Sequence, residues 1–152
     1  MLNKLRAVAF VPASKNGGAK DFYSKKLQLK LISEDPFALV YALKDADLRV
    51  TPVAKHVPAG FTVLGWESPD IKAEAKRLSK RGVVFEQFHG FQQDELGIWT
   101  SPSGAKVAWF KDPDGNILSI TEPAKPGSGK KTIGDRGKKK TVKKIGTAKR
   151  SA

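Results

Sequence analysis

Residues 109–122, WFKDPDGNILSITE, set a turn between two apolar runs and close on a carboxylate. Asp112 suits the first position of a β-turn, Pro113 presets φ at the second, and Gly115 tolerates positive φ at the fourth. Spacing excludes a calcium loop. With Asp112 as first ligand, the obligatory glycine position falls on Ile117 and the bidentate glutamate on Pro123. The segment therefore turns the chain. Beyond it side chains alternate, so Ile117, Ser119 and Thr121 share one face of a strand, with Leu118 and Ile120 opposite.

Strand-like and helix-like segments alternate upstream. LRAVAFVPA (5–13) reads as a strand. GGAKDFYSKKLQLKL (17–31) reads as an amphipathic helix with Ala19, Phe22, Tyr23 and Leu27 on one face. KLISED, ALVYALK and DLRVTPV follow as three strands. After a linker around KHVPAG the order restarts with the strand FTVLGW. SPDIKAEAKRLSKRG reads as a helix with Ser68 as N-cap, Pro69 in the first turn and Gly82 at the stop. VVFEQF, GIWTSP, AKVAWFK and NILSITE read as strands after it.

The restart is an internal repeat. Val8 recurs as Val63, and Ser24-Lys25-Lys26 recurs as Ser79-Lys80-Arg81, both at a separation of 55 residues. KDAD (44–47) recurs as KDPD (111–114) at 67. The difference of 12 predicts an insertion, placed in EQFHGFQQDELGIWT (86–100). These spacings predict an α+β fold of two β-α-β-β-β modules, about 4–54 and 60–123, in one domain spanning 4–123.

Composition sets the outer bounds. The chain has 152 residues, enough for one ordinary domain, with 39% hydrophobic and 28% charged residues. The absence of cysteine excludes disulfides, thiolate metal sites and cysteine nucleophiles. No apolar run is long enough to span a bilayer and the N-terminus lacks a signal-peptide core, so no membrane insertion is expected and a cytoplasmic location is. The net charge of +13 is uneven: residues 124–152 hold 11 Lys and Arg against one acid, a net +10, leaving +3 for the rest.

That tail, 124–152, has no aromatic residue and three large apolar ones, Ile133, Val142 and Ile145, so it is expected to be disordered. Its GSGKKT is not a P-loop, because Ala124 stands where the first glycine belongs and Lys131 follows Lys130. Lys130, Lys131, Lys138, Lys139, Lys140, Lys143 and Lys144 could contact nucleic-acid phosphates nonspecifically or an anionic membrane surface. Without aromatic interleaving there is no signature for stacking on bases. A solubilising extension is the simpler reading.

Two β-α-β-β-β modules closing on F-x-D-P-D-G-N resemble the vicinal oxygen chelate superfamily of glyoxalase I, bleomycin-resistance proteins and extradiol dioxygenases. The resemblance covers about residues 4–122 and rests on FKDPDGNILSITE, DFYSKKLQLKL and GIWTSPSGAKVAWF. It implies a curved mixed-sheet cup around a small ligand, at or near a homodimer interface. Many members hold a divalent metal through His and Glu side chains inside the cup. The corresponding positions here are Val8, Val63, Ser119 and a place among Arg49–Pro52, and none is a metal ligand. The expectation is a cup without metal or other cofactor.

By strand alternation and that resemblance, Val8, Phe10, Arg49, Phe61, Val63, Trp99, Ile117, Ser119 and Thr121 are expected to line the ligand pocket. It would be apolar with a few hydroxyls, suiting an organic molecule, with Arg49 facing an anionic group. Of Trp66, Trp99 and Trp109, Trp99 is expected to touch it because it follows the insertion. Glu95 and His89 are the catalytic candidates, as a general base and a ligand-contacting base. Adjacent Asp94 and Glu95 make a poor acid–base pair, and solvated loop residues are the bland reading of Asp94, Glu95 and His89 alike. No G-x-S-x-G elbow surrounds Ser119, which excludes a triad nucleophile. The function expected is small-ligand binding in a glyoxalase- or bleomycin-resistance-like cup, with lyase or isomerase chemistry as its enzymatic form. The other class is a non-catalytic scaffold that the tail tethers to nucleic acid.

Overall fold

A computed structural model describes residues 1–14 and 18–127. Strand β1 (Ala7–Ala13) leads into α1 (Ala19–Asp21), which runs on as a π-helix, Phe22–Lys26. Strands β2 (Lys30–Asp35), β3 (Ala38–Ala42) and β4 (Ala46–Pro52) complete the first module. The second runs through β5 (Thr62–Glu67), α2 (Ile71–Lys80), β6 (Ile98–Thr100), β7 (Lys106–Lys111) and β8 (Ile117–Glu122). The sheets have the orders β1-β4-β3-β2 and β5-β8-β7-β6. In each the first and last strands pair in parallel and the rest antiparallel. The class is α+β with two β-α-β-β-β modules, as the repeat predicts.

Four local readings are corrected. VVFEQF forms no strand; Phe85 makes a single bridge to Phe110 and Glu86 N–H donates to Trp109 O. The first helix is much shorter than the apolar periodicity implied. The cap of α2 is Asp70, whose Oδ1 accepts the Ala73 N–H at 3.0 Å, while Ser68 Oγ accepts from Asp70 N–H. Spacing explains the difference, since Asp70 lies three residues before the donor that an N-cap serves. The insertion is also larger than 12: residues 81–97 join α2 to β6, where only 27–29 join the π-helix to β2, a difference of 14. Pairing puts Tyr41 opposite Leu48 and Phe110 opposite Leu118, so β7 follows β3 by 69 residues and β8 follows β4 by 70. KDAD and KDPD, 67 apart, are therefore slightly out of structural register.

One core joins the modules. Helix α2 buries Ile71, Ala75 and Leu78, a helical stripe, against β7 and β8. Gly82, at φ +80°, ends it by letting Val83 N–H return to Leu78 O. Phe22 and Tyr23 from the π-helix pack on Phe110 and Tyr41, one from each sheet. Leu48, Val50 and Leu118 are fully buried between them. Each large apolar side chain so buried contributes roughly 1.5–3 kcal/mol before entropy is counted.

The DPDG segment is the β-turn expected: Gly115 N–H donates to Asp112 O at 3.1 Å, and Gly115 has φ +83°. It also ties the modules together. Asp112 Oδ1 accepts the Asp114 and Asn116 N–H groups, and Oδ2 accepts Tyr23 O–H and Asn116 Nδ2–H. Asn116 donates further to Pro12 O, and Asp114 Oδ1 accepts Ser14 N–H.

No helix among the described residues is long and apolar enough to cross a membrane. The tail lysines Lys130, Lys131, Lys138, Lys139, Lys140, Lys143 and Lys144 lie outside the described residues.

Candidate functional site

The candidate face is the side of each sheet turned away from the helices. In the first sheet Ala9, Val11, Leu48 and Val50 turn inward, which leaves Val8 and Phe10 outward, 46% and 63% exposed. Val8 pairs with Asp47 and Phe10 with Arg49, so these four share the outer face. Asp47 is already held: Arg6 donates to Asp47 Oδ1 at 2.8 Å and to Ala46 O at 2.8 Å. Arg49 is exposed and makes no ion pair with a described residue.

The outer face of the second sheet is aromatic. Trp109 pairs with Ser119, and Trp99 with Val107. The insertion folds back over them. Phe91 meets Trp99 and Trp109 edge-on at 5.2 and 5.6 Å, and Phe88 meets Trp109 at 5.6 Å. Trp99 and Trp109 lie 6.1 Å apart. Gln93 holds the insertion's shape, its Oε1 accepting Phe88 N–H and its Nε2 donating to Glu86 O and Gly97 O. Phe88, Phe91 and Gln93 were not foreseen. Their signal was present in the three-residue spacing Phe85, Phe88, Phe91 inside an otherwise polar loop.

The remaining pocket residues divide. Ser119 does face Trp109 but is only 5% exposed, with Gly65 opposite it across β5. Ile117 and Thr121 share its face and are half-buried. Phe61 is exposed just before β5. A register shift between Thr62 and Leu64 turns Val63 toward the core cluster. Thr62 takes the outer position and accepts the Trp109 Nε1–H at 3.1 Å. Trp66 lies on the other side of the sheet, stacked on Phe110.

The two catalytic candidates are not brought into one site. His89 is exposed at the tip of the insertion. Glu95 sits in an exposed turn that Asp94 builds by accepting the Leu96 and Ile98 N–H groups at 2.9 Å. It lines a shallow groove with Lys72 and Lys76, of which His89 is no part. Nor do the residues fit the divalent metal that the resemblance implies. Among the described residues no three His, Asp or Glu side chains gather where they could hold an ion. The outer-face positions carry valine, threonine and serine.

No protein-family model matches the sequence, and no curated protein matches it. Solved structures do match. A glyoxalase/bleomycin resistance protein/dioxygenase from Nocardioides superposes with a TM-score of 0.64 at 15% identity, over 84% of this chain and 89% of that one. An antibiotic-binding protein from a Streptomyces species gives 0.59 at 25% identity, over 81% and 98%. A lactoylglutathione lyase from Agrobacterium tumefaciens gives 0.59 at 16%, over 82% and 97%. With the paired β-α-β-β-β modules and the DPDGN turn, these likenesses identify the fold as that of the vicinal oxygen chelate superfamily.

Proposed function

We propose that the chain binds a small organic molecule on the outer face of its two sheets, without a resident metal. The observation that carries this reading is the exposed Val8 and Phe10 beside Arg49, which forms no ion pair with a described residue, with β1 touching β5 and the Trp99–Trp109–Phe91 group beyond. Apolar side chains left on an open sheet face cost solvation unless something covers them. A flat, largely apolar ligand with one anionic group would satisfy the rings and the guanidinium together. A second copy of the chain covering the same face would make the site a dimeric cup. The antibiotic-binding relative supports sequestration as the outcome. Lyase or isomerase chemistry would need an acid–base pair on this face, and His89 and Glu95 do not supply one.

The test is a thermal-shift screen of planar aromatic carboxylates on the full chain. A ligand at 100 times its dissociation constant should add about 2.7 kcal/mol of stability. Arg49→Ala and Trp99→Ala should each weaken the hit, and Phe10→Glu should lower the oligomeric state. No hit from any class in a folded sample would reject the proposal. A second reading, in which residues 124–152 contact nucleic acid, is favoured by their net charge of +10.

A further inference from the structure

A separate cavity of about 330 Å³ opens on the helical side of the second sheet, where the two modules meet. Its wall is apolar: Leu27 and Leu29 from the link between the π-helix and β2, and Trp66, Leu78, Phe110 and Ile120 from the second module. Trp66 pairs with Ile120 and Trp109 with Ser119, so strand alternation sets this cavity on the opposite side of the sheet from the aromatic outer face. Trp66 lies over Phe110, with planes at 16° and centroids 6.5 Å apart, which holds the indole in place while leaving it half-exposed.

The charges near the mouth are already committed. Arg77 Nη2 meets Glu74 Oε2 at 2.6 Å. Asp70 caps α2 by accepting the Ala73 N–H, and Glu122 accepts the Ile71 N–H. Glu67 pairs with Thr121 of the outer face, so its side chain is turned away from Trp66. A charged ligand entering here would leave water without gaining a partner. What the wall leaves unsatisfied is a donor. Ser68 lines the cavity two residues beyond Trp66, on the same side of the chain, and is 8% exposed. Its N–H continues the strand ladder to Thr121 O. Its Oγ accepts the Asp70 N–H at 3.2 Å, and its own hydroxyl proton meets no acceptor among the described residues. The Trp66 Nε1–H also makes no hydrogen bond with a described residue, unlike that of Trp109. A buried hydroxyl proton without an acceptor costs free energy, which an acceptor inside the cavity would recover.

We infer that this cavity binds a small neutral aromatic molecule carrying one acceptor oxygen, such as an aryl ketone, with its rings among Leu27, Leu29 and Trp66 and its oxygen accepting the Ser68 hydroxyl proton. Apolar enclosure with one placed polar group is the usual build of such a site. The outer face with Arg49 selects the opposite property, an anionic group, so the two sites are separable by ligand charge.

The experiment titrates the full chain with 2-acetylnaphthalene and follows the indole N–H resonances of the three tryptophans. 2-Ethylnaphthalene keeps the rings without the oxygen, and 2-naphthoate and naphthylmethylammonium carry a charge of either sign. The ketone should shift Trp66 saturably and show intermolecular nuclear Overhauser effects to the Leu27 and Leu29 methyl groups. It should bind about fivefold tighter than the hydrocarbon, the worth of one neutral hydrogen bond. Ser68→Ala should erase that preference while leaving hydrocarbon binding in place, which a general loosening of the fold would not do. Arg49→Ala should change neither. Contacts at Trp99 or Trp109 in place of Trp66, a charged probe binding at Trp66 as tightly as the ketone, no preference for the ketone over the hydrocarbon, a preference that survives Ser68→Ala, or no saturable shift would each overturn the assignment.

Discussion

The Tyr23 hydroxyl donates a buried hydrogen bond to Asp112 Oδ2 at 2.8 Å, linking residues 89 apart in sequence. One partner belongs to the first module's π-helix and the other to the turn closing the second. The Asp112 carboxylate accepts four hydrogen bonds, and the residue is 5% exposed. A buried carboxylate tolerates its loss of water only with such a set of donors. Tyr23→Phe keeps the packing and removes one of them. It should cost about 1.5–3 kcal/mol, the range for a hydrogen bond to a charged group. Urea unfolding should show a lower midpoint at unchanged slope. A midpoint equal to the parent's would mean the two modules are not held through this contact.

The same burial governs behaviour in alkali. Tyr23 and Tyr41 are the chain's two tyrosines. Both hydroxyls are pushed above the ordinary tyrosine range, burial being the first cause. For Tyr23 the Asp112 charge adds to it, whereas for Tyr41 the hydrogen bond with Ser24 works against it. A raised folded value means the unfolded chain gives up these protons first. The stability they contribute is whole below about pH 10, the ordinary tyrosine value, and is lost as pH rises through the folded values. Tyrosinate absorbance should stay flat through pH 10 and then rise together with the loss of far-ultraviolet circular dichroism. Smooth ionisation near pH 10 in a folded chain would contradict the burial of both rings.

Gln93 offers a sharper test of the outer face. Its side chain satisfies three backbone groups of the insertion, at Glu86, Phe88 and Gly97. Gln93→Ala should cost about 1–3 kcal/mol, because those groups must find water or stay unpaired. It should also release Phe88 and Phe91 from Trp99 and Trp109, which near-ultraviolet circular dichroism would register as a fall in aromatic signal. An unchanged signal would show that ring packing alone seats the insertion.

What the sequence made legible follows from what its patterns encode. Strand alternation correctly separated Leu118 and Ile120, both buried, from Ile117 and Thr121, because one face of a sheet must meet the helices. The offset of 55 between Val8 and Val63 located the second module. The bulge that then turns Val63 inward was not visible, since a register shift depends on the partner strand. VVFEQF has strand propensity, yet Val83 is used to close α2 and Val84 is exposed, so tertiary contacts overrode propensity there. The aromatic cover on Trp109 was missed because strand rules do not reach into a long insertion. Tyr23, read only as one member of an apolar stripe, could not be matched with Asp112 without knowing that the π-helix faces the second sheet.

The charge divide between body and tail leads to the last prediction. Residues 124–152 carry +10 and residues 1–123 only +3, so any attraction to polyanions should reside almost wholly in the tail. Ending the chain after Glu122 preserves β8, whose Glu122 carboxylate accepts the Ile71 N–H and pairs with Lys106 at 2.7 Å. The shortened chain should therefore keep its fold. Binding of double-stranded DNA by the full chain should weaken steeply with salt, log affinity falling by about 0.9 per phosphate neutralised for each unit of log salt concentration. The shortened chain should lose most of that affinity while its melting temperature stays within about 2 °C, the change a few tenths of a kcal/mol produces. Equal DNA affinity in the two chains would rule out the tail as a nucleic-acid tether.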